Sequence, residues 1–313
     1  MSLYNDYSTY LKEKHGCRVY RIGLDAGFSC PNRDGTKGSG GCIYCNANGS
    51  RSSYTTPQDP IEKQLSSRME YLKSKYGAAK FIAYFQAFTN TYAPVKKLRS
   101  IYDKVLPFKE VVGISIGTRP DCVDSEKVEL IASYKDKYDT WLEYGMQSMH
   151  DKTLKVIHRG HTFKDFLSAF DLAKKSGISV CVHVILGLQG ETRDDMLKTA
   201  QKLSEIKADG VKIHLLHILK YSTLGTLYSE GKVKLMEQDE YVELVCDFLE
   251  NLSPRIVIQR LTGEGDRNNH VAPQWALDKS STINKIRETL TRRRSHQGKM
   301  LDAVGEGVGE PKF

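Results

Sequence analysis

Hydrophobic and polar positions along the chain follow two alternating rhythms. Runs rich in β-branched and aromatic residues at 18–24, 80–88, 110–117, 140–147, 179–187 and 211–219 predict six strands. Between them, 60–76, 93–106, 125–137, 162–176 and 193–207 read as helices; in the last, Met196, Leu197, Ala200, Leu203 and Ile206 share one stripe. Gly177 follows its helix where a left-handed cap is wanted. Strand–helix alternation calls for right-handed crossovers and a parallel sheet buried on both faces. Six units are too few for a closed eightfold barrel. They predict an α/β partial (β/α)6 TIM-like barrel, with a doubly wound open sheet as the competing fold. Either places ligands at the C-terminal ends of the strands.

Past the sixth unit come a helical stretch at 238–251, a strand-like run at 255–261 and a tail helix at 284–294 that carries Arg292, Arg293 and Arg294. Glycine-rich 305–313 is expected to fray. The expected organisation is an N-terminal extension (1–17), the barrel (18–220, with a loop at 25–50), a C-terminal α/β extension (221–294) and a flexible tail (295–313).

Composition narrows the class. Of 313 residues, 40% are hydrophobic and 27% charged, ordinary for a globular chain. No run approaches the ~20 apolar residues of a membrane span. The N-terminus lacks a basic or apolar leader, which gives a cytoplasmic expectation. The net charge of +8 suits an anionic partner such as nucleic acid, and equally a merely basic enzyme. The seven cysteines are odd in number and lack an export context, which argues against a disulfide framework. Cys181, inside an apolar strand, reads as a small buried hydrophobe.

Three cysteines crowd together. Cys30, Cys42 and Cys45 lie in a glycine-rich loop after the first strand, spaced C-x11-C-x2-C. Three thiolates can hold three irons of a cubane and leave the fourth open, unlike a four-cysteine electron-transfer cluster. Structural zinc wants four ligands, usually as two short pairs. Here there is one short pair, and the nearest downstream histidine is His150. The spacing favours the cluster and leaves a three-ligand catalytic zinc open.

The aromatic Tyr44 just before the third cysteine, and the place of this loop after the first strand, resemble the radical S-adenosylmethionine (SAM) superfamily. The long first gap is similar to that of the subfamily related to the Elongator catalytic subunit. Leu24-Asp-Ala-Gly-Phe-Ser-Cys-Pro-Asn-Arg-Asp-Gly35 looks like the YhcC/YtqA family, and the resemblance runs from about Tyr10 to Trp275. It implies a partial barrel of the radical SAM type, a 4Fe–4S cluster on Cys30, Cys42 and Cys45, and SAM as cofactor. Gln86, Thr89 and Asn90 then occupy the place of the element that holds the methionyl amine. Arg119, in Gly117-Thr-Arg-Pro-Asp121, is aimed into the barrel mouth. Glu143 and Gln147 face SAM, and Arg159 pairs with its carboxylate through a planar fork. Gly187 and Gly190 form the turn that serves as adenine platform. His214 and His217 are read as satisfied strand histidines, and 259–267 as a substrate-side element.

The same resemblance implies hydrogen abstraction by a 5′-deoxyadenosyl radical. Elongator-like domains act on the C5 substituent of the tRNA wobble uridine, and the chain shows no room for their appended acetyltransferase domain. For the YhcC/YtqA family the implied reaction takes carboxymethylaminomethyl uridine towards the aminomethyl form, with a flavodoxin- or ferredoxin-type electron donor. Arg51, Arg267 and Arg292–Arg294 are then candidate phosphate contacts. The competing readings are a radical SAM enzyme for a small metabolite or tetrapyrrole, and a non-catalytic Fe–S or zinc RNA-binding protein. Oligomeric state is left open.

Overall fold

The computed structural model describes residues 2–45, 48–49, 51–263 and 268–301. One curled, all-parallel sheet runs through strands β1 (Val19–Leu24), β2 (Lys80–Phe85), β3 (Val111–Thr118), β4 (Asp139–Gln147), β5 (Ser179–Leu186), β6 (Gly210–Leu215) and β8 (Val257–Arg260), in that spatial order. A short antiparallel ribbon joins β7 (Ile218–Leu219) to β9 (His270–Ala272) beyond the end of β6. The helices are α1 (Tyr7–His15), α2 (Ile61–Tyr76), α3 (Val95–Tyr102), α4 (Ser125–Ala132), α5 (Asp151–Val156), α6 (Phe163–Lys175), α7 (Arg193–Glu205), α8 (Thr223–Ser229), α9 (Gln238–Glu250) and α10 (Lys279–Arg292).

Local chemistry explains the crossovers. Thr162 and Asp165 form a capping box at the start of α6, as Thr192 and Asp195 do for α7, so the first orphan N–H groups of both helices are met. Ile61, Leu65, Met69 and Leu72 make the buried stripe of α2 against the sheet. Gly177, with φ +67°, takes the left-handed position after α6. Eight of the nine residues of β4 are buried, as a strand covered on both faces requires.

The sheet has one strand more than the six-unit expectation. The run at 255–261, assigned to an extension, supplies β8, which pairs in parallel with β6. Without it the open backbone edge of β6 would face solvent. Two helices separate β8 from β6 in sequence, so the strand–helix rhythm does not reveal the pairing. The N-terminal segment joins the same edge: Ile258 N–H donates to Asn5 O at 2.7 Å. Asp6 caps α1, and Tyr7 and Leu11 pack on Ile82 and Val257. The rings of Tyr7 and Tyr10 meet Trp141 edge-on at 6.2 and 5.9 Å, closing the N-terminal end of the barrel.

A second apolar cluster sits at the opposite end. Ile43 of the cysteine loop packs there with Ile157, Leu216, Ile218 and Leu224. Ile43 N–H donates to Ile157 O at 3.2 Å, and Leu224 N–H donates to Ile43 O at 2.8 Å. Among the described residues no helix is long and apolar enough to cross a membrane.

Candidate active site

The cysteine loop follows β1, at the C-terminal rim. Cys42 is buried, and its Sγ accepts from Arg159 Nη1 at 3.4 Å and Asn32 Nδ2 at 3.5 Å. Burial would raise its pKa, but the Arg159 guanidinium, with Arg119 behind it, outweighs burial and holds the thiol below its ordinary value. Burial wins at Cys45, whose thiol is pushed up although Arg33 opposes it. Among the described residues, no three His, Cys, Asp or Glu side chains stand close enough to clasp a single ion. Residues 46, 47 and 50 of the expected 25–50 loop lie outside the described residues.

Two arginines converge on this loop. Arg159 lies over β4, its Nε and Nη2 donating to Gly145 O at 3.1 and 2.6 Å. A Cβ on Gly145 would stand 2.6 Å from Arg159 Nη2 and 2.7 Å from Gln147 Nε2, so a larger residue would push both side-chain ends aside. Gln147 itself has φ +74° beside a register shift, a strained backbone of the kind that collects at functional sites. Arg119 grips Asp121 with two bonds of 2.9 Å. Despite burial, Arg119 and Lys37 hold the Asp121 carboxyl down at about 2. Arg119 Nη1 is buried without a hydrogen-bond partner. A pair of guanidiniums, one on a thiol and one with a donor to spare, fits an anionic thiolate-bound group at this place.

The segment after β2 clasps the loop. Thr89 N–H donates to Ser29 O at 3.3 Å, Phe88 N–H to Gly49 O at 3.1 Å, and Gln86 Oε1 accepts from Ser52 at 3.0 Å. Asn90 lies beneath this clasp, its Oδ1 buried without a hydrogen-bond partner. Fully buried, it braces two strand ends by donating to Phe85 O at 3.1 Å and Gly117 O at 2.8 Å. Gly187 and Gly190 have φ +88° and +85° in the turn after β5.

Glu143 is one of the residues expected to face SAM. It is fully buried inside the barrel, and Arg21, Lys212 and His183 (2.9 Å) take both of its oxygens. Burial would raise its pKa, but Arg21 foremost, then Lys212, and the hydrogen bond from His183 hold the carboxyl well below its usual range. Burial, with Arg21 nearby, brings the Lys212 ammonium down to about 7. The sequence reading missed Arg21 and His183. The signal was a charge inside the apolar Val19–Leu24 strand, with Glu143 answering it across the barrel. His214, expected to be satisfied, has a buried Nε2 with no partner.

The expected phosphate contacts do not survive as a set. Arg293 is committed to Asp247 (2.7 Å), Glu250 (3.1 Å) and Glu243 of α9, and Arg292 to Glu243 (2.9 Å). Acids of α9 thus answer two arginines of the 292–294 run, Arg292 and Arg293. Arg51 stands 3.5 Å from Asp25, tying the loop to the end of β1. Arg267 and 305–313 lie outside the described residues.

Comparison with known proteins agrees with this geometry. The Radical SAM superfamily profile matches residues 34–203, and that of the Radical_SAM C-terminal domain matches 208–292. YtqA of Bacillus subtilis is 40% identical over 97% of this chain and 94% of its own. A tRNA uridine(34) acetyltransferase of Methanocaldococcus jannaschii is 27% identical over 47% of this chain and 27% of its own. In structure, the archaeal Elp3 of Methanocaldococcus infernus aligns with 89% of this chain and 64% of its own, at a TM-score of 0.69 and 17% identity, a likeness of fold. The curled parallel sheet, the cysteine loop on its rim and the matched residues thus agree, and the chain belongs to the radical SAM superfamily, enzymes that work with a 4Fe–4S cluster and SAM.

Proposed function

We propose that this enzyme trims the C5 substituent of a tRNA wobble uridine, taking carboxymethylaminomethyl uridine to aminomethyl uridine. The tRNA part rests on the similarity to a tRNA uridine(34) acetyltransferase across the half of the chain that it matches. One surface feature supports it. Tyr221 is 94% exposed on a φ +60° backbone, beside Lys220, on the turn that leads into α8, whose Leu224 is bonded to Ile43 of the cysteine loop. An exposed ring next to the radical-generating loop suits stacking of an unpaired anticodon base.

Bound to its cluster, SAM supplies a 5′-deoxyadenosyl radical and, in net balance, accepts the two electrons that the amine loses. SAM, water and the modified uridine are consumed; aminomethyl uridine, glyoxylate, methionine, 5′-deoxyadenosine and a proton are released. Cys30, Cys42 and Cys45 hold the irons in this reading, and Arg159 and Asn32 steady the Cys42 thiolate by donating N–H groups to it. Arg119 offers its unspent Nη1, Arg159 and Gln147 share the space over Gly145, and Gln86, Thr89, Gly187 and Gly190 shape the rim. A ferredoxin- or flavodoxin-type protein would supply the priming electron, which is regained at the end of each turnover and so does not enter the net balance.

The test is nucleoside mass spectrometry of tRNA from a deletion strain. Carboxymethylaminomethyl uridine should accumulate at the expense of aminomethyl uridine and its derivatives. An unaltered wobble-uridine profile would move the substrate to the small-molecule class.

A further inference from the structure

We propose that Arg260, with His214 beside it, binds the carboxylate of the substrate group inside the barrel. This rests on the wobble-uridine reading and names the part of the site that recognises the carboxymethyl end.

The geometry starts from a bulge. Val211 pairs with Ile258, but Lys212 pairs with Arg260, so Gln259 is skipped in the β6–β8 register. Such an extra residue re-aims the side chains next to it. Gln259 turns into the barrel and accepts from Arg21 Nη1 at 2.9 Å. Arg260 lies level with Lys212 in the register, and its charge is among those that depress His183, Lys212 and His214, all interior groups. The bulge thus brings a second arginine level with Lys212 in the barrel.

That arginine is unspent. Arg260 is half-buried and forms no hydrogen bond or ion pair with a described residue. Glu143, the carboxylate that faces this interior, is saturated by Arg21, Lys212 and His183. Counting Arg21 and Arg260 against Glu143 leaves one positive charge even with Lys212 neutral. A cation held away from bulk water without a counter-charge is costly, and the cost is recovered when an anion arrives. His214 adds the second donor: its Nε2 is buried and unpartnered, and its ring lies 5.2 Å from that of His183. A planar fork with a neutral imidazole N–H beside it matches a single carboxylate.

Height along the strands decides where the rest of the group goes. Arg159 lies over Gly145, two residues beyond Glu143 on β4, or roughly 6–7 Å further towards the rim. A carboxylate held at Arg260 directs the attached methylene and amine back towards that rim layer. The bond to be broken then lies on the side of the cysteine loop, and the uridine remains outside the barrel.

The experiment compares two anticodon stem–loops, one with carboxymethylaminomethyl uridine and one with aminomethyl uridine, titrated against reconstituted holoenzyme. Iron content and melting temperature establish that each variant is folded. Wild-type protein should prefer the carboxylated loop by at least about tenfold, the size expected of a charge-assisted hydrogen-bonded pair. Arg260→Gln should abolish that preference with little change for the aminomethyl loop, and Arg260→Lys and His214→Ala should each reduce it. Equal weakening of both loops by Arg260→Gln would assign Arg260 to a phosphate and overturn the inference alone. Wild-type protein that neither prefers nor converts the carboxylated loop would overturn the wobble-uridine reading and this inference together.

Discussion

At the height of Glu143, interior charges find one another: Arg21, Lys212 and His183 close on a single carboxylate that no solvent reaches. Nearer the rim, and along β8, the polar groups are left over. Arg119 Nη1 and His214 Nε2 are buried without partners, and Arg260 has none among the described residues. Both regions draw on the same parallel sheet, with Arg119 directly following β3. Cations answered by a shared carboxylate hold the barrel together, whereas polar groups with no carboxylate between them mark where an anionic ligand completes the site.

Five measurements break or sharpen that contrast. The largest effect belongs to the rim. Cys42→Ala should lose the reconstituted iron and bring 5′-deoxyadenosine release to background, whereas Cys246→Ala, remote on α9, should retain its iron; iron analysis with product chromatography reads both. Next comes the satisfied layer. Glu143→Ala strands Arg21 and Lys212 without a counter-charge and should cost about 3–5 kcal/mol in denaturant unfolding. A loss below about 1 kcal/mol would mean that this layer is no structural brace.

Arg159→Lys keeps the charge but not the fork. SAM affinity should fall about tenfold by equilibrium binding, and an unchanged affinity would remove Arg159 from the cofactor site. Acidity separates the layers more gently. Burial foremost lowers His183 to about 4, against the roughly 6.5 of an unfolded chain. Between those values the unfolded state binds the extra proton. The stabilisation is therefore complete above about pH 6.5 and is lost as pH falls towards 4. Unfolding free energies measured across that window should slope less steeply in His183→Gln. The smallest effect lies outside the barrel. Arg292, 71% exposed beside Glu243, should change stability by under about 0.5 kcal/mol when replaced by alanine. The salt dependence of RNA binding should hardly move, because the charge is already paired; a clear drop in slope would return the arginine run to the RNA-binding surface.

The fold was legible from periodicity because its strands alternate with well-capped amphipathic helices. The predicted 162–176 and 193–207 became Phe163–Lys175 and Arg193–Glu205, bounded by their capping boxes. β8 escaped assignment to the sheet because its partner β6 lies two helices away in sequence. The cysteine loop stood out by its spacing together with Tyr44, its place after the first strand and the flanking motif. Glu143 was expected to face SAM, and its partners inside the barrel were not foreseen. A carboxylate in mid-strand signals importance, but only the curl of the sheet brings Arg21, from the first strand, to its oxygen.

The sequence by itself determined the class of chemistry and the order of the elements, since both are written in short-range patterns: cysteine spacing, strand–helix alternation, and turn and cap residues. The pairing of charges was decided by the tertiary structure alone. Whether Arg293 is a free cation or an answered one depends on α9 lying against α10, and whether Arg260 faces the barrel depends on one bulge at Gln259. Electrostatic energy depends on distance in space, and residues far apart in sequence acquire that distance only when the sheet has curled and its helices have packed.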